Sequence, residues 1–300
     1  MPIPTVIDTD PGTDDALALF MALRSPALSV EGVTTVGGNA SLRHTTANAV
    51  RLVNAFGVPA MPVAAGAARP LRGRFSYAYH FHGHNGLTIS LPPSRRPICS
   101  LTASEFLVSK GYSFAGHLLI VALGPLTNLA RALRAEKRFK EMVNKLVIMG
   151  GALDGQGNTT PYAEFNIYND PEAAAAVLAS GIPTTLVGLE VCRLVYLTRQ
   201  DLPRFQDGDA SARLLGRMLE EWFRLHPERE RYELCDPLAL AVALEPGIAT
   251  LEGRTVQVIT DDGPQRGRTV VHGPGPVQVV TRVDIPAFFH LFWQLMGIPT

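Results

Sequence analysis

Close to its start the chain reads Ile3-Pro4-Thr5-Val6-Ile7, then Asp8-Thr9-Asp10-Pro11-Gly12-Thr13-Asp14-Asp15, then Ala16-Leu17-Ala18-Leu19-Phe20-Met21. The first run is apolar and the third is helix-like, so residues 8–15 are predicted to form an acidic turn between a strand and a helix. Four carboxylates this close raise one another's pKa unless a cation or several N–H donors compensate them. A helix N-terminus supplies only about half a unit charge. A bound metal ion is the simplest compensation, and oxygen-only ligands indicate calcium or magnesium rather than zinc.

Helix capping explains only part of this charge. Thr13 could cap the helix, with Asp14 and Asp15 in its first turn, where acids are common. That interpretation leaves Asp8 and Asp10 unexplained, so the acidic turn predicts a functional metal site. The turn does not follow the EF-hand pattern, because its glycine is misplaced and no glutamate stands twelfth from either Asp8 or Asp10.

Short β-branched runs alternate with helical patterns along the chain. The predicted strands cover residues 5–7, 30–36, 61–65, 118–123, 145–149 and 184–189. The helices between them include residues 42–56, 126–135 and 172–180. This alternation predicts an α/β fold, with an open, mainly parallel, Rossmann-like sheet and helices on both faces. Later runs predict a small antiparallel addition and a closing helix, at residues 256–259, 269–271, 277–281 and 286–296. We expect one domain over residues 1–300.

Ligands of open parallel sheets bind beyond the carboxyl ends of the strands. The acidic turn lies there, and so do Gly37-Gly38-Asn39, Gly124-Pro125 and Gly150-Gly151, each after a later strand. The site is therefore predicted at this edge of the sheet. Residues 66–100 and 190–236 are expected to be long loops that cover it, because loops of that length are usually functional lids.

The composition restricts the partners. Lys plus Arg and Asp plus Glu number 27 each, so no global charge attracts nucleic acid or an anionic membrane, and a small-molecule partner fits better. Cys99, Cys192 and Cys235 are widely separated, which argues against a disulfide framework and favours the reducing cytoplasm. We expect no signal peptide, since the N-terminus lacks a basic region followed by an apolar one, and no transmembrane helix, since no apolar stretch reaches about 18 residues.

The acidic turn resembles the N-terminal motif of the calcium-dependent nucleoside hydrolases, the inosine-uridine preferring type. Further segments resemble that family in the same order: Gly37-Gly38-Asn39, Leu123-Gly124-Pro125-Leu126-Thr127-Asn128, Met149-Gly150-Gly151, Gly157-Asn158, Ala163-Glu164-Phe165-Asn166 and Asp170-Pro171-Glu172-Ala173-Ala174. The resemblance covers nearly the whole chain. It implies the nucleoside hydrolase fold and hydrolysis of the N-glycosidic bond of ribonucleosides, giving free base and ribose.

The resemblance also implies the roles of individual residues. It implies that Ca²⁺ is held by Asp10, Asp15, Asp236 and the backbone carbonyl of Leu123. It implies that Asp10 deprotonates a calcium-bound water molecule. The implied contacts to the ribose come from Asp14, Asn39, Met149, Asn158, Glu164, Asn166 and His82, with His82 near the 5′ end. Relatives form dimers or tetramers, so a homodimer or homotetramer is expected.

One position departs from the family. Many relatives have histidine directly before the last metal-binding aspartate, where it is thought to protonate the departing base, but this chain has Cys235. A thiol with a pKa near 8.5 is a poor acid at neutral pH, and general acid catalysis typically contributes about 10²- to 10⁴-fold. Tyr232 and His82 are alternative contacts for the leaving group. A base that already carries positive charge, as in nicotinamide riboside, would suffer least, because it departs neutral.

Other interpretations stay open. His80, His82 and His84 would share one face of an extended segment, where they could bind a transition metal or simply form a polar loop. Asp170 and Asp236 both precede proline and could cap helices. The chain could also be a haloacid-dehalogenase-like magnesium phosphatase that uses an aspartate of the acidic turn as nucleophile, or a catalytically impaired nucleoside-binding protein.

Overall fold

The computed structural model describes residues 1–299, and its centre is an eight-stranded sheet in the order β3-β2-β1-β4-β5-β6-β12-β9. The strands of this sheet are β1 (Ile3–Thr9), β2 (Leu28–Thr35), β3 (Val63–Ala65), β4 (Leu118–Ala122), β5 (Val143–Met149), β6 (Thr184–Val187), β9 (Ala249–Arg254) and β12 (Val277–Val283). All neighbours pair in parallel except β9 and β12, which are antiparallel. The predicted α/β class and mainly parallel sheet are confirmed.

Twelve α-helices occur within residues 1–299. They are α1 (Thr13–Arg24), α2 (Leu42–Ala55), α3 (Tyr79–His82), α4 (Ala103–Ser113), α5 (Thr127–Ala135), α6 (Phe139–Met142), α7 (Phe165–Asn169), α8 (Pro171–Leu178), α9 (Leu189–Cys192), α10 (Ala210–Leu225), α11 (Cys235–Leu244) and α12 (Ile285–Met296). Two 3₁₀ turns cover Leu202–Asp207 and Pro246–Ile248. In this part of the chain, every helix is too short or too polar to cross a lipid bilayer.

The sheet separates two hydrophobic cores. Successive residues of one strand point to opposite faces, so Val6 belongs to one core and Ile7 to the other. The same division holds for Ile120 and Val121 on β4. Both cores are built largely from fully buried aliphatic side chains, as expected for a parallel sheet that is covered by helices on both faces.

The topology corrects one sequence prediction, that of the late antiparallel addition. Residues 277–281 do not join a separate addition, because β12 pairs in parallel with β6 and extends the main sheet. Its valines pack into both cores, so this strand is more deeply buried than a strand of a separate hairpin would be. Of the predicted addition, β10 (Val256–Val258) and β11 (Thr269–Val271) do form a separate antiparallel ribbon. Neither β9 nor α4 was predicted.

The sequence predicted a long loop over residues 190–236, but the structure does not show one. These residues contain α10, whose apolar face buries Leu215, Leu219 and Trp222, and a two-stranded ribbon of β7 (Tyr196–Thr198) and β8 (Arg231–Glu233). The helical period was present in residues 210–225 but was overlooked. Residues 66–100, in contrast, are mostly irregular apart from α3.

Of the three predicted helix caps, Asp170 is confirmed and Thr13 and Asp236 are not. Asp170 caps α8 by accepting from the Ala173 amide at 3.0 Å, which confirms its predicted role. Thr13 is not a cap, because α1 begins at this residue after Gly12. Asp236 lies inside the first turn of α11 rather than before it. His80 and His82 lie on the short helix α3, so the extended face that could have bound a transition metal does not form.

Candidate active site

Three carboxylates from distant parts of the chain meet where β1 ends. Asp14 and Asp15 stand in the first turn of α1, and Asp236 stands in the first turn of α11, which packs against α1. One oxygen of each lies within 4.8 Å of the others. This spacing suits a shared cation, because metal ligands from one shell lie a few ångströms apart.

Asp15 is held in place by three donors. Its Oδ2 accepts from the Gly12 amide at 2.8 Å and from Asn39 Nδ2 at 3.0 Å, and its Oδ1 accepts from the Thr9 hydroxyl. These bonds fix the carboxylate and leave lone pairs free. The side chain of Asn39 thus links the turn after β2 to the acidic turn.

Asp10 is fully buried and only half satisfied. Its Oδ2 accepts from the Asn39 amide at 2.6 Å, while its Oδ1 has no hydrogen-bond partner. Asp10 lies outside the group of oxygens within 4.8 Å, and Asp14, which the sequence assigned to the ribose, lies inside it. A buried carboxylate oxygen without a partner is costly, so this atom is a candidate for contact with a cation or a water molecule.

The electrostatics of this cluster call for a cation. Burial raises the pKa of Asp10, Asp15 and Asp236, and it raises the pKa of Asp14 to about 7. Neighbouring carboxylates raise the pKa of Asp10, Asp14 and Asp236 further. Within residues 1–299, no lysine or arginine forms an ion pair with any of the four. An all-oxygen donor set of this charge fits a hard divalent ion.

Two glycines enclose the Asp10 carboxylate. A methyl group at Gly38 would lie 2.0 Å from Asp10 Oδ2, and one at Gly124 would lie 2.4 Å from Asp10 Oδ1. Both approaches are far inside van der Waals contact. The glycines of the turns after β2 and β4 are therefore required by close packing against this carboxylate.

Replacing Gly124 with alanine should displace Asp10 or the turn that carries Gly124. We expect a loss of about 1–3 kcal/mol in the free energy of unfolding, as for other overpacked positions, together with a large drop in turnover. Denaturant unfolding and kcat measure the two effects. Gly247→Ala is the matched control, because a methyl group there meets no atom within 4 Å. Wild-type behaviour of Gly124→Ala would contradict the packing argument.

A buried amide connects β4 to β5. Asn166 Nδ2 donates to the Leu123 carbonyl at 2.8 Å and to the Met149 carbonyl at 3.3 Å. Glu164 caps α7 by accepting from the Asn166 and Ile167 amides at 2.8 and 3.0 Å, and it also accepts from the Gly151 amide at 3.1 Å. The structure thus brings the predicted carbonyl ligand and three predicted ribose contacts to one edge of the sheet.

A cavity of about 840 Å³ opens above the carboxylates. The sequence-predicted residues that line it are Asp14, Asn39, His82, Leu123, Met149, Asn158, Glu164, Asn166, Cys235 and Asp236. Asp10, Asp15 and Tyr232 lie behind this surface and are buried. Asn158 is exposed at the rim, where its Oδ1 accepts from the Phe165 amide at 2.9 Å.

The two long segments border this cavity, as predicted. Ser76, Tyr77, His80 and Phe81 line it from the first, and the second contributes Trp222, residues 228–231 and Glu233. A volume of this size accommodates a small ligand with one sugar and one base.

None of the three candidate contacts for a leaving group is well suited to transfer a proton. Burial lowers the pKa of His82 to about 3, so its ring is neutral, and because Nδ1 accepts from the Thr13 amide at 3.4 Å, Nε2 carries the proton. Burial beside Asp14 raises the pKa of Tyr232 well above its usual range, and its hydroxyl donates to Asp14 at 3.4 Å. All three groups can donate hydrogen bonds, but none is a strong acid at neutral pH.

Cys235 is not isolated. Contact with the Cys192 thiol, followed by burial, raises the pKa of Cys235 well above its usual range, so it stays a thiol. Both cysteines are free. The sequence placed them far apart, and the packing of α9 beside α11 brings them together.

The sequence of the chain matches a known family over almost its whole length. Residues 5–290 fit the sequence model of the inosine-uridine preferring nucleoside hydrolases. The chain belongs to this family. The nucleoside hydrolase fold expected from the motifs is confirmed by the comparison with solved structures.

Several relatives of this nucleoside hydrolase are close. Uridine nucleosidase 1 of Arabidopsis thaliana is 37% identical over 298 residues, which cover 93% of this chain and 89% of that protein. The pyrimidine-specific ribonucleoside hydrolase RihA of Salmonella typhi is 39% identical over 278 residues, which cover 90% and 89%. The solved plant nucleoside hydrolase PpNRh1 superimposes with a TM-score of 0.95 at 34% identity, over 100% of both chains. The purine-preferring ribonucleoside hydrolase of Gardnerella vaginalis gives 0.92 at 31%, over 98% of both.

Sequence analysis of this nucleoside hydrolase missed part of the cavity wall. Phe81, Trp222 and Arg193 line the cavity but carry no recognisable motif. The apolar period of α10 could have revealed Trp222 as an inward-facing residue, although not its position at the site. No local signal distinguishes the other two.

Proposed function

We propose that this nucleoside N-ribohydrolase binds Ca²⁺ at its carboxylate cluster and cleaves pyrimidine ribonucleosides, with uridine as the preferred substrate. The observation that carries the proposal is a buried group of carboxylates without a basic partner, opening into a cavity lined by polar groups suited to a ribose. Asp10, Asp15, Asp236 and the Leu123 carbonyl are the ligands that we propose.

The proposed chemistry begins at Asp10. Bound Ca²⁺ would polarise a water molecule and lower its pKa. Asp10 Oδ1, buried and without a partner, is the atom that we propose to accept the proton of the attacking water. The glycines on both sides of this carboxylate pack closely against it, which restricts its orientation.

The ribose is proposed to bind between the acidic turn and α7. Asp14, Asn39 and Asn166 offer acceptors and donors for the vicinal hydroxyls, and Glu164 and Asn158 serve the far end of the sugar. The negative charges of the acidic turn would favour the positive charge that develops at C1′ as the glycosidic bond breaks.

The preference for uridine rests on the leaving group. No strong acid faces the cavity among Cys235, His82 and Tyr232. Uracil departs with its negative charge shared between carbonyl oxygens, so hydrogen-bond donors such as the Cys235 thiol can stabilise it without full proton transfer. The two relatives at 37% and 39% identity are named for uridine and pyrimidine nucleosides.

A panel of nucleosides tests the proposal. Release of reducing sugar from uridine should exceed release from inosine, and Cys235→His should raise the rate for inosine by about 10²-fold, because histidine is an effective general acid at neutral pH. Nicotinamide riboside belongs in the panel, since its base departs neutral. Faster turnover of inosine than of uridine by the unmodified protein would contradict the preference.

The same panel separates the other functions. Phosphate release from nucleotides without base release from nucleosides would identify a phosphatase. Saturable nucleoside binding without any sugar release would identify a binding protein. Either result would overturn the proposed reaction.

We also propose that the protein works as a homodimer or homotetramer in the cytoplasm, and that residues 1–300 fold as one domain. The three free cysteines suit a reducing compartment. Sedimentation velocity measures the assembly directly, and a monomer at working concentration would contradict it.

A further inference from the structure

One wall of the cavity is a short segment between α10 and β8, residues 226–230, which we call the outer loop. Side chains of Glu228, Arg229 and Glu230 from this loop line the cavity, together with Arg231 and Glu233 of β8. The loop faces solvent on its other side, because residues 227–230 are exposed.

The backbone of the outer loop has few bonds of its own. The His226 amide closes the end of α10 by donating to Trp222 at 2.9 Å, and the Arg229 amide donates to the His226 carbonyl at 3.1 Å. Pairing with β7 begins only at Arg231. Exposed backbone with so little internal bonding has low local stability unless another group holds it.

Arg199, which directly follows β7, is that group. Its Nη1 donates to the Arg229 carbonyl at 2.7 Å. Its Nη2 lies 3.2–3.4 Å from three further carbonyl oxygens, those of Phe223, His226 and Pro227. The guanidinium also stacks over the Phe223 ring, with 4.7 Å between Cζ and the ring centroid. One side chain thus spans from the end of α10 to the middle of the loop.

We propose that Arg199 is a positioning residue that fixes the outer loop as a wall of the substrate cavity and thereby sets the affinity for the nucleoside. The inference rests on the proposed function. Arg199 does not line the cavity, so it acts through the loop. Only a planar guanidinium offers several donors in fixed directions, so lysine cannot reproduce the contacts.

The loop also contacts a second wall of the cavity, at Phe81. His226 Nε2 lies 3.0 Å from the Phe81 carbonyl, and the Phe81 and Trp222 rings pack edge to face at 5.2 Å. Phe81 and Trp222 both line the cavity. A displaced loop would therefore change two sides of the cavity together.

The test uses Arg199→Lys and Arg199→Gln. Because the guanidinium is itself exposed, we expect a moderate effect: KM for uridine about fivefold higher, with kcat within about twofold of wild type. Amide hydrogen exchange of residues 227–230 should be faster in both variants. The thermal stabilisation by calcium should be unchanged, because the hydrogen bonds of Arg199 reach none of the proposed metal ligands.

Arg204→Lys is the matched control. Arg204 also stacks on an aromatic ring, Trp293 at 4.0 Å, and donates to a carbonyl, that of Pro299 at 3.0 Å, but it lines a separate cavity. It should change neither KM nor exchange in the outer loop. The proposal is overturned if the Arg199 variants exchange at the wild-type rate, or if their kcat falls as much as KM rises. Should the protein cleave no nucleoside, the exchange result and equilibrium binding of uridine would still decide the role of Arg199.

Discussion

Replacing Asp10 with asparagine should lower kcat by about 10³-fold while leaving nucleoside binding close to that of the wild type. The asparagine carbonyl can still accept from the Asn39 amide, so the local fold survives. The other half of the group becomes an amide, which cannot take a proton from water. Stopped-assay turnover of uridine and equilibrium binding by calorimetry measure the two quantities separately.

Asp8→Asn is the control, because it makes the same change two residues earlier, at the end of β1. Asp8 Oδ1 accepts from Thr34 Oγ1 at 2.6 Å and from Asn128 Nδ2 at 2.8 Å, and an asparagine oxygen can accept both. Burial raises the pKa of Asp8 to about 6, and Asp8 lies outside the carboxylate cluster of Asp14, Asp15 and Asp236. We expect kcat within about tenfold of wild type. A near-normal rate for Asp10→Asn would remove Asp10 from the role of base.

Chelation should abolish turnover and lower the melting temperature, and the thermal effect should grow with pH. Acids whose pKa is raised in the folded state stabilise the protein while protonated, and that stability is lost as pH rises from the unfolded value of 3.8 through the folded pKa, about 7 for Asp14. The calcium-free protein therefore weakens between about pH 4 and pH 7. Calcium binds the ionised carboxylates, so its contribution increases over the same range.

Thermal melts with chelator or with excess calcium measure this difference. At calcium near 100 times its dissociation constant the stabilisation is about 2.7 kcal/mol, or roughly 5 °C for a chain of this size, at about pH 8. It should be clearly smaller at about pH 5. An equal shift at both pH values, or none, would contradict a calcium site built from these carboxylates. Magnesium in place of calcium serves as the comparison ion.

The parts of the fold that local patterns encode were predictable. Apolar runs followed by glycine turns gave six parallel strands and located the acidic turn at the correct edge of the sheet. The pairing of β12 with β6 was not predictable in the same way, because two strands separated by most of a hundred residues carry no local sign of their neighbour. The loop predicted over residues 190–236 was wrong, because the helical period of α10 lies inside a segment whose length is typical of a lid.

The site shows the same division. Aspartates crowded into one turn indicate a cation from charge alone. The partnerless oxygen of Asp10, the contact between Cys192 and Cys235, and the reach of Arg199 depend on segments that meet only in the folded chain. The sequence therefore shows that the carboxylates need a compensating charge, but only the packing shows which oxygen atom is left without a partner.

The carboxylates of α1 and α11 are far apart in the sequence, at residues 14 and 15 and at residue 236. An ion bound by both would act as a clasp that closes the chain between residues 15 and 236 into one loop, and the closure entropy of so large a loop is lost when the ion binds. During synthesis the carboxylates of α1 are made early and lack their partner on α11 until that helix is made. Metal capture would then be among the last events of folding, and a truncated product lacking α11 could not acquire the ion at all.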